Sequence, residues 1–371
     1  MDKRSKKSIK LLFVSFLCCF AVNFAHANVD EELFDTLTEN RALSDDLNNY
    51  IQKLTNVGQF SGAVLIAKDN KILINKGYNL CNYELSIANT PITKFRVGSI
   101  TKSFTAVAIL QLREKGLLTL KDPLAKYIPD YPNGNLITIH QLLIHASGIP
   151  NFRELPEYKK NFCSSVTLDN IIATFKYKPL EFPPGQRFSY SNSNYILLTY
   201  IIQKITGQPY QEYLKNNILV PALMNNTGID DTSTILENRA SGYQMDASGL
   251  INASYANMSW SAGAGALYTT VQDLYKFDRI LYSTKLLTRD SIALMFTPQI
   301  ANSCYGWHSE LLCSRPVFSH GGLINGFHAM FMRFIEDNAC IIIVSNFEFA
   351  PIEKMSRDLA AIIFNCPDSR E

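Results

Sequence analysis

The chain has 371 residues, of which 47% are hydrophobic and 18% are charged. This composition excludes extended disorder, and the length suffices for a large core with two lobes. The formal net charge is +2, but residues 1–27 carry five positive charges and one negative charge, so their removal leaves a net charge of −2. A nearly neutral chain gives no electrostatic reason to expect nucleic acid as a partner.

Residues 1–27 have the pattern of a secretory signal. A basic start precedes an apolar run over residues 11–22, and Ala25-His26-Ala27 fits a small-x-small cleavage site. The run is shorter than the ~20 residues that span a bilayer, and the bulky Leu17 before Cys18 disfavours processing as a lipoprotein. We therefore expect cleavage after Ala27, a periplasmic or secreted protein, and no stable membrane anchor afterwards.

Six cysteines remain after this cleavage, namely Cys81, Cys163, Cys304, Cys313, Cys340 and Cys366. An oxidising compartment permits disulfides, and Cys304 and Cys313 are near enough in sequence to close a short loop, although many other pairings are open. The spacings match no zinc pattern, and the chain has no His-Glu-x-x-His. We expect neither a metal nor an organic cofactor.

The N-terminal part predicts a helix followed by a hairpin. The helix covers 30–56, and two alternating apolar segments, 61–68 and 71–78, flank Asp69-Asn70. Residues 101–114 then predict an amphipathic helix, which Lys115 and Gly116 close in the way that helix C-termini prefer.

From about residue 117 to 210 the pattern changes to short helical segments separated by Pro and Gly. The predicted helices are 138–144, 168–175, 194–206 and 210–218. Toward the C-terminus, 329–335 and 340–345 are predicted strands around a turn at Glu336-Asp337-Asn338, and 352–364 is a predicted helix.

Strands at both ends with helices between them predict an α+β fold, a mainly antiparallel sheet flanked by helices with an inserted, mostly helical lobe. We expect residues 28–371 to form one catalytic domain. Its α/β lobe is expected at about 28–98 and 256–371, and its helical lobe at about 99–255. An active cleft is expected where the lobes meet.

Ser99 and Lys102 form the only Ser-x-x-Lys sequence in the chain, at the start of the predicted helix 101–114. Helical residues three apart place their side chains on one face, one turn above the other. A lysine amine in that position can take the serine proton and make a weak hydroxyl a competent nucleophile. Ser99 is therefore a candidate nucleophile, with Lys102 as its proton partner.

A second group of candidates lies in Ser189-Tyr190-Ser191-Asn192, after a Pro-Pro-Gly turn and before a predicted helix. Tyr190 can carry a proton if Lys102 lowers its pKa, and Asn192 can hydrogen-bond a substrate amide. Two other Tyr-x-Asn triplets begin at Tyr131, in a Pro/Gly turn, and at Tyr255, at the exit of the helical insert. The rigid turn favours Tyr190 and Asn192.

The third candidate element is Ser319-His320-Gly321-Gly322-Leu323, which holds the only His-x-Gly in the chain and comes just before the first predicted C-terminal strand. Glycine allows the backbone to approach a ligand closely. The strand edge can then donate an amide N–H to an oxyanion, together with the N–H of Ser99.

In this order, the three elements resemble the motifs of the penicillin-recognising serine hydrolases, in the class C β-lactamase-like branch that also holds D-Ala-D-Ala peptidases, D-aminopeptidases and esterases. The resemblance extends from about Ser61 to Asn346 and includes the segments 142–150, 189–192 and 261–265. It implies the serine β-lactamase/D,D-peptidase-like fold and an acyl-enzyme.

The resemblance also implies a role for each matching residue. These roles are the acylated nucleophile for Ser99, its proton partner for Lys102, the general acid/base for Tyr190, substrate binding for Asn192, His320 and Gly322, and oxyanion N–H groups for Ser99 and Leu323.

The chain departs from the Lys-Thr-Gly form of the third motif, because it contains no Lys-x-Gly. A histidine at this position is similar to D-aminopeptidases and some D,D-peptidases. It disfavours efficient β-lactam hydrolysis, since His320 would place a titrating group where other members have a fixed cation. His145, within the segment 142–150, is expected to be buried, hydrogen-bonded and structural.

We therefore expect an exported serine hydrolase that acts through an acyl-enzyme, on D-amino-acid peptides or amides related to peptidoglycan stems. Its expected partners are small peptide, amide, ester or β-lactam substrates, without nucleic acid. Two alternatives remain open. One is a class C-like β-lactamase or promiscuous carboxylesterase, and the other is a catalytically idle penicillin-binding scaffold.

Overall fold

The computed structural model describes residues 41–367. The expected signal sequence and the cleavage after Ala27 therefore lie outside the described residues, as does the first part of the helix predicted over 30–56. None of the described helices is long and apolar enough to cross a membrane.

Residues 41–367 form strands and α-helices joined by 3-10 and π-helical turns. The strands are β1 (Gly62–Lys68), β2 (Lys71–Tyr78), β3 (Leu80–Asn82), β4 (Ile87–Ala88), β5 (Phe95–Arg96), β6 (Gly228–Ile229), β7 (Tyr243–Asp246), β8 (Gly249–Asn252), β9 (Leu267–Thr269), β10 (Ser303–Cys304), β11 (Trp307–Leu312), β12 (Arg315–Ile324), β13 (Phe327–Phe334) and β14 (Ala339–Ser345).

The α-helices are α1 (Arg41–Asn56), α2 (Thr101–Glu114), α3 (Ile139–Leu143), α4 (Pro156–Asn161), α5 (Leu168–Phe175), α6 (Asn192–Thr206), α7 (Tyr210–Leu214), α8 (Ala262–Gly265), α9 (Val271–Ile280), α10 (Arg289–Met295) and α11 (Ile352–Phe364). The 3-10 turns are Gly98–Ile100, Leu124–Lys126, Phe152–Glu154, Met258–Trp260 and Ile300–Asn302, and a π-helical turn covers Lys215–Leu219.

The N-terminal hairpin forms as predicted. Strand β1 pairs with β2, and Asp69 and Asn70 make the turn with φ angles of 52° and 62°. Short polar side chains tolerate the left-handed conformation that a two-residue hairpin turn requires.

Strands from both ends of the chain share one seven-stranded antiparallel sheet, in the order β10-β11-β12-β13-β14-β1-β2. Neighbouring residues of a strand face opposite sides of a sheet. In β14, Ile341 and Ile343 join one core cluster while Ile342 and Val344 join the other. Burial on both faces explains why β14 reads as a continuous apolar run.

Helices cover both faces of the sheet. Helices α1 and α11 pack on one face, where Leu47 and Leu359 are fully buried. The larger core lies on the other face and includes α2, α5 and α6. Helix α2 is buried from Thr101 to Leu112, so it is a central helix with apolar contacts all round instead of the predicted amphipathic one. The α+β fold class is confirmed, whereas the residue limits of the two lobes stay a prediction.

Most predicted elements agree with the observed ones to within a few residues. Helices α5 and α11 have the predicted bounds, and α6 begins at Asn192, two residues earlier than predicted. The helix predicted over 210–218 is divided, because α7 ends at Leu214 and the chain continues as a π-helical turn.

Strands β11 and β12 have no counterpart among the predicted strands, and β12 changes the position of the third motif. His320 lies inside β12, not before a strand. The strand contains Pro316, Gly321 and Gly322, and these residue types weaken the sequence signal of a strand. Pairing with β11 and β13 supplies the stabilisation that local propensity lacks.

The disulfide among the described cysteines is Cys313–Cys366, with a Cα–Cα distance of 5.6 Å, so the pairing that the sequence left open does not close the short loop from Cys304 to Cys313. Cys313 lies in the turn between β11 and β12, and Cys366 follows α11. Cys304 is a free, buried thiol in the core on the other face of the sheet. The pairing depends on a helix docking far from Cys313 in sequence, which spacing along the chain does not reveal.

A buried ion pair fastens α9 to the sheet. Arg333 of β13 is 1% exposed and donates through Nε to Asp278 Oδ1 at 2.5 Å and through Nη2 to Asp278 O at 3.0 Å. Asp278 is fully buried and also pairs with Arg279. Removing one member of such a pair leaves a desolvated charge undercompensated.

Replacing Arg333 with methionine is expected to lower the free energy of unfolding by about 3 kcal/mol, because the buried Asp278 carboxylate loses one of its two cations. Urea unfolding followed by tryptophan fluorescence measures this change. The control is Lys354→Met, which removes the exposed partner of Asp358 and is expected to cost about 0.5 kcal/mol. Equal losses in the two variants would refute the role given to the buried pair.

Candidate active site

Ser99 lies in the 3-10 turn Gly98–Ile100, which continues directly into α2. Gly98 has a φ of 49°, and a Cβ at this residue would come within 3.0 Å of Leu323 N. The Thr101 hydroxyl donates to Gly98 O at 2.7 Å and closes the turn. The turn therefore packs Ser99 against β12 and leaves the residue half-buried.

Lys102 follows one turn later and is fully buried. Its Nζ lies 3.0 Å from Ser99 Oγ, 2.8 Å from Asn192 Oδ1 and 2.6 Å from the carbonyl oxygen of Ala264. Ser99 and Lys102 therefore lie close together, as the sequence predicts. Helix α8 adds a further hydrogen-bond acceptor for the Lys102 amine, the carbonyl oxygen of Ala264.

Burial, and then the charge of Arg153, hold the pKa of Lys102 well below its usual value. A neutral amine has two N–H groups and one lone pair. Asn192 Oδ1 and Ala264 O can only accept, so they take the two N–H groups. The lone pair is then left for the hydroxyl proton of Ser99, which is the arrangement that a general base needs.

Tyr190 donates its hydroxyl to Ser99 Oγ at 2.8 Å. Burial raises the pKa of Tyr190, although the Ser99 hydrogen bond and the Arg153 charge act in the other direction. Lys102 is not among the causes that lower the pKa of Tyr190, so that condition is not met in this resting state. The Tyr190 phenol stays protonated. Of the two groups that hydrogen-bond Ser99 Oγ, Lys102 is therefore the base and Tyr190 the acid.

His145 packs against the loop that carries Tyr190 and hydrogen-bonds its backbone. Its Nδ1 accepts the backbone N–H of Ser191 at 3.2 Å, and its ring lies 4.4 Å from the ring of Tyr190 at 32°. Ser189 N donates to the His145 carbonyl at 2.9 Å. Burial is the largest cause that holds the pKa of His145 well below its usual value. His145 is thus a buried, hydrogen-bonded support, as the sequence indicates.

Asn192 begins α6 and is 7% exposed. Its Oδ1 accepts from Lys102, while its Nδ2 and its backbone N both donate to Asn151 Oδ1 at 3.2 Å. One side-chain N–H remains for a substrate amide, because a carboxamide has two. The arrangement orients the Lys102 amine, and the contact between Asn192 and substrate stays a prediction.

The third motif is an open stretch of strand edge that faces Ser99. Pairing between β11 and β12 ends at His308 opposite Ser319, whereas β12 continues to pair with β13 as far as Ile324. A Cβ at Gly322 would lie 1.9 Å from Val97 O and 3.2 Å from Ser99 N. Gly322 is therefore required for close packing against the turn that carries Ser99.

This packing brings the backbones of Ser99 and Leu323 together, in the place expected for two oxyanion N–H groups. Leu323 N is the atom nearest to a Cβ built on Gly98. The Leu323 side chain is 52% exposed, so the residue contributes to the site through its backbone. The oxyanion role itself stays a prediction.

His320 lines the same cleft, with its ring 6.4 Å from that of Tyr190. Burial is the largest cause that lowers its pKa to about 3, while a hydrogen bond to Gly321 O acts in the other direction. A neutral imidazole therefore occupies the position for which the sequence suggested a group that titrates near neutral pH.

These residues surround a cleft of ≈ 700 Å³. Its lining includes Ser99, Tyr190, Asn192, His320, Gly322 and Leu323. Neither Tyr131 nor Tyr255 lines it, so the choice of the Tyr190 triplet is supported. Within residues 41–367, no group of three or more His, Cys, Asp or Glu side chains is placed to hold a metal ion.

Comparison with known proteins identifies the family of this chain. The profile of the family described as Beta-lactamase matches residues 47–363. The chain belongs to this beta-lactamase family.

Two solved structures and one curated protein illustrate the relationship. PbpX of Bacillus subtilis (strain 168) is 34% identical over 322 residues, covering 87% of this chain and 78% of that protein. An octameric penicillin-binding protein homologue from Pyrococcus abyssi has a TM-score of 0.79 and 27% identity, covering 88% and 78% of the two chains. A D-stereospecific amidohydrolase from Streptomyces sp. has a TM-score of 0.73 and 26% identity, covering 86% and 98%.

Three residues in the site of this beta-lactamase family member escaped the sequence analysis. Ala264 acts through its carbonyl oxygen, so its side chain carries no signal, although its segment 261–265 is family-like. Asn151 and Arg153 follow another such segment, 142–150. A polar residue next to a family-like segment is the signal that could have found them.

Lys102→Arg and Lys102→Met are both expected to slow acylation by a penicillin about 100- to 10,000-fold, since neither side chain can accept the Ser99 proton. Intact mass spectrometry at timed intervals measures the rate. In the unaltered protein the rate should stay level from pH 10 to 7, because the unprotonated amine is the reactive form and its pKa lies well below the usual value.

The control is Lys115→Arg, which changes an exposed lysine at the end of the same helix. A Lys102→Arg protein that acylates within tenfold of the control, or a rate that climbs steadily up to about pH 10 where an ordinary lysine loses its proton, would contradict the neutral-amine mechanism.

Proposed function

We propose that this protein is an exported serine hydrolase that forms an acyl-enzyme on Ser99 and acts on D-amino-acid peptides or amides related to peptidoglycan stems. One observation carries the proposal. Ser99 Oγ lies between a buried amine whose pKa is lowered and a phenol whose pKa is raised, at 3.0 Å and 2.8 Å.

Acylation follows from these two protonation states. The Ser99 proton passes to Lys102 Nζ as Oγ attacks the carbonyl carbon, and the oxyanion lies between the N–H groups of Ser99 and Leu323. The C–N bond then breaks, and the leaving amine takes the proton of the Tyr190 phenol. The Lys102 ammonium, 5.0 Å from the Tyr190 ring centroid, stabilises the phenolate and restores its proton.

Deacylation uses the same groups. Water donates a proton to the neutral Lys102 amine as its oxygen attacks the acyl carbon, and Lys102 returns the proton to Ser99 Oγ when the ester bond breaks. Loss of the leaving amine opens space beside Tyr190, which is partly exposed at 37%. The same hydroxyl therefore meets both the leaving group and the incoming water.

Two findings support amides of D-amino acids as substrates. The chain resembles a D-stereospecific amidohydrolase over 86% of its length. His320 is neutral, with its pKa lowered to about 3, so the third motif offers no fixed cation to a carboxylate next to the scissile bond. Because β-lactams carry such a carboxylate, the lack of a fixed cation ranks a β-lactamase second among the candidate functions. An esterase shares the acylation chemistry.

The unaltered protein is expected to hydrolyse D-alanine amide, and Ser99→Ala should reduce turnover at least ~1,000-fold by removing the nucleophile. Liquid chromatography of the products measures turnover, with the L-enantiomer as the stereochemical control. Retained turnover in Ser99→Ala would contradict the acyl-enzyme mechanism.

Incubation with a penicillin, followed by intact mass, separates the candidate functions. A long-lived adduct on the unaltered protein alone supports a peptidase or amidase with slow deacylation of the drug. A transient adduct with consumption of the drug supports the β-lactamase. No adduct and no turnover of amides or esters supports the idle scaffold.

Export is the second part of the proposal. A chain expressed with its own N-terminus in a Gram-negative host is expected in the periplasm, with a mass that starts at Asn28 and includes one disulfide, Cys313–Cys366. Ala27→Leu should block this processing, since the cleavage site needs a small residue. An unprocessed product in the cytoplasm would contradict export.

A further inference from the structure

The cleft has charged residues on both walls, but they differ in sign. Arg153 is the one arginine or lysine among the described residues that line it. Glu348 and Glu353 are its carboxylates, and both belong to the wall formed by the sheet and α11. The cleft is therefore positive on the helical wall and acidic beyond the end of the β12–β13 hairpin.

Arg153 lies on the Asn192 side of Ser99. It belongs to the 3-10 turn Phe152–Glu154, and its backbone N donates to Asn151 Oδ1. The same Oδ1 accepts both the backbone N and Nδ2 of Asn192. One side-chain oxygen therefore ties the turn of Arg153 to Asn192, the residue placed to bind the amide of the acyl group.

The guanidinium of Arg153 has N–H groups to offer. Its Nη2 donates to Tyr158 Oη at 3.1 Å, and the group lies over the Tyr158 ring at 5.3 Å. Within residues 41–367 no carboxylate lies within ion-pair distance of it, and Nε and Nη1 make no hydrogen bond. An arginine fork with free N–H groups matches the two oxygens of a carboxylate.

The sheet wall cannot take the same anion. Glu348 Oε2 accepts Gly326 N and Gln244 Nε2, each at 2.7 Å, and Glu353 pairs with His328 Nε2 at 3.0 Å. Both carboxylates repel an anionic group that enters past the end of β12. An anionic substituent is therefore accommodated on one side of the scissile bond alone.

We propose that Arg153 forms a carboxylate-binding subsite for the acyl part of the substrate, so that the preferred substrates carry a free carboxylate on the D-amino-acyl side of the scissile bond. This inference rests on the proposed function, since it names the substrate class of that site. In this proposal the cation that binds the substrate carboxylate is Arg153, on the helical wall of the cleft and opposite the third motif on β12.

The test uses two thioester substrates with one scissile bond. One is the methyl thioester of N-succinyl-D-alanine, and the other is its analogue in which a carboxamide replaces the succinyl carboxylate. Release of methanethiol, followed with a coloured thiol reagent, gives kcat/KM for each. The unaltered protein is expected to favour the carboxylate about 10- to 100-fold, as for a charge-assisted hydrogen bond.

Arg153→Met should bring this ratio close to one, and Arg153→Lys should keep part of it. The ratio is the readout because Arg153 also lowers the pKa of Lys102, an effect that changes both rates together. The control is Lys159→Met, which removes an exposed cation from the same segment and should leave the ratio unaltered. A ratio near one in the unaltered protein, or an unchanged ratio in Arg153→Met, overturns the subsite.

A binding measurement keeps the subsite testable without turnover. Calorimetry compares N-succinyl-D-alaninamide with its carboxamide analogue on Ser99→Ala and on the double variant with Arg153→Met. Tighter binding of the carboxylate, by about tenfold and lost in the double variant, supports the subsite. If thioester turnover is absent but this difference is present, the proposed function fails and the subsite stands. Equal binding of both ligands rejects the subsite, whatever the turnover.

Discussion

A lysine amine buried without a carboxylate is the constraint on which the site depends. Lys102 is fully buried, and its three polar neighbours are uncharged oxygens. A charge in such a place costs several kcal/mol, so the amine is stable there as the neutral base. The identity of Asn192 matters for the same reason, since an aspartate of similar shape would pair with the ammonium and remove the base.

The remaining parts of the fold bring other segments to this amine. Ser99 lies in the 3-10 turn before α2, and Lys102 lies in α2 itself. The start of α6 carries Asn192, and α8 presents the carbonyl of Ala264. Strand β12 closes the site from the sheet, where only glycine at 322 fits against Val97 O. The cleft is thus a product of packing between the sheet and the helices, and each side supplies groups that the other lacks.

What the sequence predicts well is local. Ser99 and Lys102 are three apart in one continuous helical segment, so their proximity follows from helical geometry, and the hairpin follows from alternation around Asp69-Asn70. Tyr190 needed the neighbouring turn to separate it from two similar triplets.

What the sequence misses depends on distant contacts. Strand β12 contains Pro316 and two glycines, and it is held by its neighbours in the sheet. The partner of Cys313 is set by the docking of α11, and Ala264 contributes a carbonyl that every residue type has. The pKa of Tyr190 is raised because burial, which no local pattern encodes, outweighs the opposing effect of the Arg153 charge.

The positive charge of Arg153 links substrate recognition to the base. Its field lowers the pKa of Lys102, but burial is the larger cause. A carboxylate bound to Arg153 would cancel much of that field and raise the pKa of the amine. Had the field been the main cause, the preferred substrate would protonate the base that must attack it. Burial does not change when a ligand pairs with Arg153, so an anionic substrate can be recognised beside a lysine that stays neutral.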